Sequence, residues 1–251
     1  QLQSGESPIY EPGLGELIAQ HVASGQISAH HTAAEAVEGA DVAIVCVGTP
    51  SLADGTVELD YIRNTLIELA QLVKGHPSLR HIIVRSTIPP GTIDTLAVPL
   101  LGEAHAYFVP EFLREGSAIS DFFHSARTVI GTRGGEEADP AIQALFDGPE
   151  TGPVFCVDYV TAEFIKYVDN AWHAIKVAFA NEAYSIGHAF GVDVPEANRI
   201  FLEDKHLNIC EKYLKPGLPF GGSCLPKDVR AINSLAARAG VQAPLLGSML
   251  T

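Results

Sequence analysis

The chain has 251 residues, of which 47% are hydrophobic and 18% are charged, and its formal net charge is −14. This length is enough for one large or two small domains, and the apolar content is too high for a disordered chain. The negative charge argues against nucleic acid or an anionic membrane surface as a partner, because both require a basic surface. No apolar run approaches the length of a membrane span.

Cysteine usage is typical of a reducing compartment. The four cysteines are Cys46, Cys156, Cys210 and Cys224, and no pair has the C-x-x-C spacing of a zinc or redox site. They are too few for a disulfide scaffold, so we expect a cytoplasmic protein. Cys46 lies in the apolar run VAIVCVG, which predicts a small buried side chain.

The first half of the chain alternates helical and strand patterns. Helices are predicted at 13–27 and at 59–75, where the second pattern stops at Gly75. Apolar runs bounded by glycine, proline or polar residues predict strands at 41–51, 80–92, 106–112, 126–132 and 152–158. Continuous apolar strands separated by helices are typical of a parallel sheet covered on both faces. We therefore predict a partial doubly wound α/β, Rossmann-like domain over residues 1–157.

The second half, residues 158–251, is predicted to be a mainly helical domain. One long helix is expected over 161–190, ended by Gly191, with shorter helices at 195–207 and 226–240. The chain starts at Gln1, and no G-x-G-x-x-G phosphate turn occurs in it. We interpret it as a fragment that lacks the first β-α-β unit.

Two strand ends carry hydroxyl groups. Thr49 lies near the end of the strand segment 41–51, and Thr87 follows the apolar part of the segment 80–92. Ligands of open α/β sheets bind beyond the carboxyl ends of the strands, and Gly48 leaves the backbone accessible. Contact with a ribose or phosphate and simple helix capping are both compatible with this pattern.

A polar stripe follows the long helix. At about 100° per residue, Lys166, Asn170, His173 and Asn181 fall on one face, while the other faces are mainly apolar. A helix apolar on most of its circumference is expected to be buried, and buried polar groups need partners. The stripe therefore favours contact with a ligand over contact with solvent.

Glu111 and Cys224 are the remaining candidates for chemistry. Glu111, in VPEFLREGSAI, is either a carboxylate at a helix N-terminus or a catalytic base. Cys224 lies in FGGSCLPKD, where two glycines leave the backbone open and Lys227 favours a thiolate. Asp228 is placed to orient Lys227, Lys166 or a water. This setting favours a nucleophile over a buried structural thiol.

Six segments occur in the order found in one enzyme family: GESPIYEPGLGELI, VGTPS, RSTIPPGT, PEFLREGSAI, EFIKYVDNAWHA and FGGSCLPKD. The chain resembles the nucleotide-diphosphate-sugar 6-dehydrogenases, which include the UDP-glucose and GDP-mannose enzymes, over essentially its whole length. The resemblance implies an NAD-binding domain, a helical central domain and a homodimer formed through the long helix. It also implies that a C-terminal nucleotide-binding domain is missing, so the fragment is expected to be inactive alone.

The resemblance also implies roles for individual residues. Cys224 would be the nucleophile, Lys166, Asn170 and Asp228 would surround the sugar C6, and Glu111 would assist hydrolysis and touch the substrate. Thr49 and Thr87 would line the NAD site. The implied contacts with the sugar nucleotide also include Lys166, Asn170, His173, Asn181, Tyr213, Lys215, Phe220 and Gly221.

Within the family, NAWHAIKVAFANE and KHLN resemble the GDP-mannose branch. That branch oxidises the C6 hydroxyl of GDP-mannose to GDP-mannuronate, for alginate-type polymers, in a four-electron reaction through a cysteine thioester. Val109 replaces the usual asparagine before Pro-Glu, and Lys215 stands where arginine is common. These departures bear on nucleotide preference, because lysine and arginine bind phosphate differently.

Other functions remain compatible with the same residues. A sister enzyme would act on UDP-glucose or UDP-N-acetylmannosamine. A β-hydroxyacid dehydrogenase resembles the chain in having lysine and asparagine one turn apart on the long helix, but it needs no cysteine. A non-catalytic dimerisation fragment would use only the long helix.

Overall fold

The computed structural model describes residues 1–189, 191–205, 217–238 and 244–250. The described residues contain one five-stranded sheet, with the strands in chain order. The strands are β1 (Val42–Val45), β2 (His81–Val84), β3 (His105–Phe108), β4 (Thr128–Thr132) and β5 (Val154–Asp158). Four lie within segments that the apolar runs predict to be strands, and β3 begins one residue before its predicted segment at 106–112.

Pairing in the sheet is parallel except at one place. β1 pairs with β2, β2 with β3 and β4 with β5 in parallel, whereas β3 and β4 are antiparallel through Phe108 and Gly131. The expected fully parallel sheet is therefore mixed. Because β3 and β4 are antiparallel neighbours, the end of β3 and the start of β4 lie at the same end of the sheet. Residues 109–127, which connect them, therefore do not cross a face of the sheet.

The described residues of both halves of the chain contain α-helices. They are α1 (Leu14–Ala23), α2 (Ala33–Ala36), α3 (Asp60–Gly75), α4 (Val98–Leu101), α5 (Ala118–Phe123), α6 (Pro140–Ala144), α7 (Tyr159–Ala189), α8 (Val194–Phe201), α9 (Leu225–Arg238) and α10 (Pro244–Ser248). Short 3₁₀ turns occur at Leu2–Ser4 and Arg133–Gly135, and a π-helical segment, Ile93–Ala97, precedes α4. The predicted end of α3 at Gly75 is confirmed.

The core lies on both faces of the sheet. On one face α3 contributes Ile62, Leu66 and Leu69, at the spacing expected of an amphipathic helix. On the other face Ile142 of α6 packs with Ile83 and neighbouring strand residues. Covering of both faces is the property that the continuous apolar strands predict.

The beginning of α7 is fixed to the sheet by two contacts. The Tyr159 hydroxyl donates a hydrogen bond to the Ala106 carbonyl at 2.8 Å, and burial raises the pKa of Tyr159 to about 12. At Gly131 an added Cβ would lie 2.8 Å from the Ala162 Cβ, so a larger residue would push the helix from the strand.

Contacts divide the chain into two compact units. The first unit contains Gln1–Thr49 and Leu59–Lys166, and the second contains Pro50–Glu58 and Tyr167–Thr251. The division falls within α7. We keep residues 1–157 and 158–251 as proposed domains, since β5 ends at Asp158 and α7 follows at once.

Burial along α7 agrees with the expected pattern for the polar stripe and departs from it for the apolar residues. The polar residues Lys166 and Asn170 are buried, while Phe164, Trp172 and Phe179 are each about half exposed, at 49%, 51% and 52%. The expectation that the apolar circumference is buried is therefore wrong for these three.

Cys46 also departs from expectation. It follows β1, which is an edge strand, and it is exposed rather than buried. Partial burial of its thiol still raises the pKa of Cys46, an effect that the charge of Arg85 opposes.

Candidate active site

The loops after β1 and β2 carry the two predicted threonines of the first unit. Thr49 is buried and Thr87 is partly exposed. The Ser86 hydroxyl donates to the Val47 carbonyl at 2.7 Å and so ties the two loops together. A Cβ at Gly48 would meet no described atom within 4 Å, so the backbone there is open to a ligand.

An ion pair joins Glu111 to α7 in the same unit. The Lys166 ammonium donates to Glu111 Oε1 at 3.0 Å, and the Leu113 amide donates to Oε2 at 2.8 Å. Lys166 is only 4% exposed. Residues 109–114 are not helical, and α5 begins only at Ala118, so the alternative that Glu111 occupies a helix N-terminus is wrong.

The second unit contains a buried carboxyl group. Asp228 of α9 is 1% exposed, and its Oδ2 accepts a hydrogen bond from the Asn170 amide. The Lys227 ammonium lies 3.3 Å from Oδ1 in an ion pair, but Oδ1 has no hydrogen-bond partner among the described residues. The carboxyl group thus retains one oxygen with capacity to bind a proton, water or substrate.

Cys224 directly precedes α9 and is exposed. The Asp228 amide donates to the Cys224 carbonyl at 2.9 Å, which makes Cys224 the first residue of the helix's hydrogen-bond ladder. A thiolate here would lie at a helix N-terminus, where the dipole favours negative charge. Gly222 has a φ of +78°, which favours glycine at this position.

The remaining predicted substrate contacts have different environments. His173 Nε2 lies 3.8 Å from Asp169 Oδ2, one turn earlier on α7. The Asn181 side chain holds the loop before Cys224, because it accepts from the Gly217 amide at 2.8 Å and donates to the Leu218 carbonyl at 3.3 Å. Phe220 is partly exposed and Gly221 exposed. Tyr213 and Lys215 lie outside the described residues.

Ser86 and Glu163 are functional candidates that the sequence analysis missed. Ser86 joins the loops of Thr49 and Thr87, and Glu163 is a fully buried acid on α7. The one signal for Glu163 was an acidic residue next to apolar positions of a predicted buried helix. This pattern does not show which backbone groups the Glu163 side chain contacts.

The described ranges contain neither a candidate metal site nor a membrane span. No group of three histidine, cysteine or acidic side chains there is arranged to hold a metal ion. None of the helices in those ranges is long and apolar enough to cross a bilayer.

Comparison with protein-family models identifies the two parts of the chain. Residues 1–147 match the NAD binding domain of the UDP-glucose/GDP-mannose dehydrogenase family, and residues 160–251 match its central domain. The chain therefore belongs to this family, which consists of NAD-dependent oxidoreductases acting on nucleotide sugars.

Particular relatives extend the comparison. A GDP-mannose 6-dehydrogenase of Pseudomonas savastanoi pv. phaseolicola is 40% identical over 258 residues, covering 99% of this chain and 58% of the relative. The solved ternary complex of GDP-mannose dehydrogenase from Pseudomonas aeruginosa has 37% identity and a TM-score of 0.75, with 99% and 59% of the chains covered. A UDP-glucose dehydrogenase structure from Pyrobaculum islandicum has 32% identity and a TM-score of 0.86, with 99% and 58% covered. The chain thus spans less than two thirds of the length of these relatives.

Proposed function

We propose that the chain carries the catalytic residues of a GDP-mannose 6-dehydrogenase that forms GDP-mannuronate through a thioester on Cys224. The observation that carries the proposal is the exposed Cys224 thiol at the start of α9, one turn before a buried carboxyl group held by Asn170. The GDP-mannose branch motifs and the Pseudomonas relatives support the choice of substrate.

The first unit fits NAD at its strand ends. Thr49 and Thr87 follow adjacent parallel strands, and the open backbone at Gly48 allows close approach of a ribose or phosphate. When bound, NAD supplies the hydride acceptor for both oxidations.

Conversion of the primary alcohol to the acid removes four electrons and consumes one water. In the first oxidation the C6 hydroxyl loses its proton and C6 loses a hydride, which gives the aldehyde. Lys166 and Asn170 would donate hydrogen bonds to the oxygen as negative charge develops. Such donors lower a barrier by about 3 kcal/mol each.

The second oxidation needs a tetrahedral adduct at the aldehyde carbon. The Cys224 thiolate adds to that carbon, forming the C–S bond, and the adduct oxygen takes a proton. Loss of that proton together with the C6 hydride leaves a thioester on Cys224. A serine in its place would be a far weaker nucleophile at neutral pH.

Hydrolysis then releases the acid. A water adds to the thioester carbon, the C–S bond breaks, and Cys224 leaves as a thiolate. Asp228 has a carboxyl oxygen without a hydrogen bond in the described structure, so we assign it to holding this water, with Glu111 and Thr87 assisting. His173, Asn181, Tyr213, Lys215, Phe220 and Gly221 remain the proposed contacts with the sugar nucleotide.

The test counts NADH formed per GDP-mannose, with UDP-glucose in parallel. The assay uses this chain alone and joined to the segments by which the Pseudomonas savastanoi relative extends beyond it. We expect two NADH per GDP-mannose and little from UDP-glucose. Cys224→Ser should release no free acid, while Cys156→Ser, which changes a thiol in β5, should retain the product ratio. One NADH per sugar, or acid release at a normal rate by Cys224→Ser, would refute the thioester route.

UDP-glucose is the second candidate substrate. The higher TM-score of the UDP-glucose dehydrogenase structure favours it, although its sequence identity is lower. Two NADH from UDP-glucose and none from GDP-mannose would retain the mechanism and change the substrate.

We propose a homodimer formed through α7. Exposed apolar residues follow one side of this helix: Val160, Phe164, Val168, Trp172 and Phe179. A second copy would cover them, since a stripe of large apolar side chains is costly to leave in water. Light scattering should give twice the chain mass, and Trp172→Glu should give the monomer mass.

We place the reaction in the cytoplasm, where reducing conditions keep Cys224 as a thiol. The GDP-mannuronate formed would then supply the synthesis of alginate-type polymers.

A further inference from the structure

Glu163 of α7 is a completely buried carboxyl group with two backbone donors. Its exposed fraction is 0%. One carboxyl oxygen accepts from the Gly91 amide at 2.5 Å, and the other accepts from the Ile93 amide at 2.8 Å. Burial of an acid is costly unless hydrogen bonds compensate, and here two backbone amides compensate it.

The segment that Glu163 holds is compact. The Thr92 hydroxyl and amide both donate to the Pro89 carbonyl, at 2.6 Å and 3.1 Å, which closes a turn. Two prolines, Pro89 and Pro90, restrict the backbone within and before the turn. The segment is therefore a closed turn, and Glu163 attaches that turn to α7.

The turn attached to Glu163 lies between Thr87 and a π-helical segment. Thr87 precedes it, and the π-helical segment Ile93–Ala97 follows. Amide groups at the start of a helix have no partner within the helix, and here the carboxyl group of Glu163 supplies one. π-helical turns often occur at functional sites, where they fix a local irregularity of the backbone.

We infer that Glu163 is a positioning residue, whose carboxyl group fixes the loop carrying Thr87 relative to Lys166, three residues along α7. The catalytic consequence rests on the proposed function, because it assigns Thr87 and Lys166 to the reaction. The attachment itself does not depend on that assignment. The attachment and its catalytic consequence can therefore be tested separately.

The protonation of Glu163 gives the attachment a pH dependence. Burial raises the pKa of Glu163 to about 7, the charge of Asp94 adds to this, and the amides of Ile93, Gly91 and Thr92 oppose it. If the segment opens to water, the pKa of Glu163 returns to its ordinary value of 4.5. The closed segment therefore binds a proton more tightly than the open one, and rising pH favours opening.

The first test measures hydrogen exchange of the Gly91 and Ile93 amides in the 251-residue chain. Glu163→Gln retains one oxygen that can accept a hydrogen bond. Glu163→Met retains the length of the side chain but has no oxygen acceptor. We expect protection of these amides to fall about tenfold in Glu163→Gln and further in Glu163→Met, because a buried amide without a partner is costly. Glu68→Gln, on the exposed side of α3, is the matched control.

Two results of this test would overturn the attachment. One is protection of both amides in Glu163→Met within twofold of the control. The other is an equal loss of protection throughout the first unit, which would indicate a general loss of stability. If the variants do not fold, the wild-type chain decides: protection of the two amides should decrease from pH 5 to pH 8 more than that of buried strand amides. In the wild-type chain, protection of the two amides no greater than that of exposed loop amides would also overturn the attachment.

The second test measures the catalytic consequence in the extended chain. Glu163→Met should lower kcat about tenfold or more while the KM for the nucleotide sugar stays within twofold, since misplacement by about 1 Å affects chemistry more than binding. Equal changes in kcat for Glu163→Met and Glu68→Gln would contradict positioning. No turnover in the wild type would refute the proposed function and leave the exchange result to decide on the attachment.

Discussion

Two buried carboxyl groups, one in each unit, have opposite surroundings. Glu163 has both oxygens occupied by backbone amides. Asp228 has one oxygen bonded to the Asn170 side chain, while the other lies 3.3 Å from the Lys227 ammonium without a hydrogen bond in the described structure. Both side chains are almost completely excluded from solvent.

The difference indicates two uses of a buried acid. A carboxyl group that accepts a backbone amide at each oxygen stabilises a local structure. A carboxyl group held by side chains, with one oxygen that has no hydrogen bond among the described residues, can bind a water or substrate. Substitution at Asp228 should therefore change turnover, and substitution at Glu163 should change structure first.

The largest expected effect is on turnover in Asp228→Asn. The amide retains the shape of the side chain but cannot act as a base, so we expect kcat in the extended chain to fall about a thousandfold. The free energy of unfolding should fall by at most about 2 kcal/mol, because the amide oxygen still accepts from Asn170 while Lys227 loses its ion pair. Enzyme assays and urea unfolding provide the two measurements.

The control for this variant is Glu68→Gln, which changes an exposed carboxyl group to an amide on α3. A kcat for Asp228→Asn within tenfold of that control would make Asp228 a structural residue. The contrast with Glu163 would then disappear.

The next effect is the loss of stability in Asn170→Ala. This change removes the hydrogen-bond donor to Asp228 and leaves a buried carboxyl oxygen without a partner. We expect the free energy of unfolding to decrease by about 3 kcal/mol. Urea unfolding measures the decrease, with Asn64→Ala on the exposed side of α3 as the control for the loss of an asparagine from a helix. A difference below about 1 kcal/mol between the two variants would show that Asp228 is not stabilised by Asn170.

The pH dependence of stability tests the other carboxyl group. The pKa of Glu163 is raised from 4.5 to about 7 in the folded protein, so the folded chain holds this proton over a pH range in which the unfolded chain has lost it. Stability should therefore fall as pH rises from about 4.5 to about 7, by at most about 3 kcal/mol. The pKa of Asp121 is lowered, chiefly by Arg114, so its contribution is lost only as pH falls below this range.

Urea unfolding at several pH values measures this slope. Glu163→Gln should remove it, and Glu68→Gln should retain it. A slope that persists in Glu163→Gln would assign the proton to another group.

Much of this fold could be predicted from the sequence, because its elements have strong local signals. All five strands coincide with apolar runs, and Gly75 ends α3 as its position predicts. The antiparallel direction of β4 could not be predicted, since an apolar strand has the same pattern in either direction. The exposure of Cys46 follows from the edge position of β1, which depends on the strand order and not on the run itself.

The candidate site could be predicted only in its composition. Motifs identified Cys224, Lys166 and Glu111, but hydrogen-bond partners come from distant parts of the chain. Glu163 meets an amide 72 positions away, and helical periodicity carries no information about such a contact. The polar stripe on α7 correctly suggested buried partners for Lys166 and Asn170, whereas exposure of Trp172 depends on what packs against the helix.

The smallest expected effect concerns the turn that leads to Cys224 and Asp228. Gly222 has a φ of +78°, whereas the neighbouring Gly221 has no positive φ, and a Cβ there would come no nearer than 3.9 Å to a described atom. Gly222→Ala should lower the free energy of unfolding by about 1 kcal/mol, because alanine is strained in this conformation. Gly221→Ala should leave stability unchanged and so serves as the control. Equal stability of the two variants would show that the left-handed conformation of Gly222 does not contribute to stability. The start of α9 would then be fixed by the contact between Asp228 and Asn170 instead of by the turn.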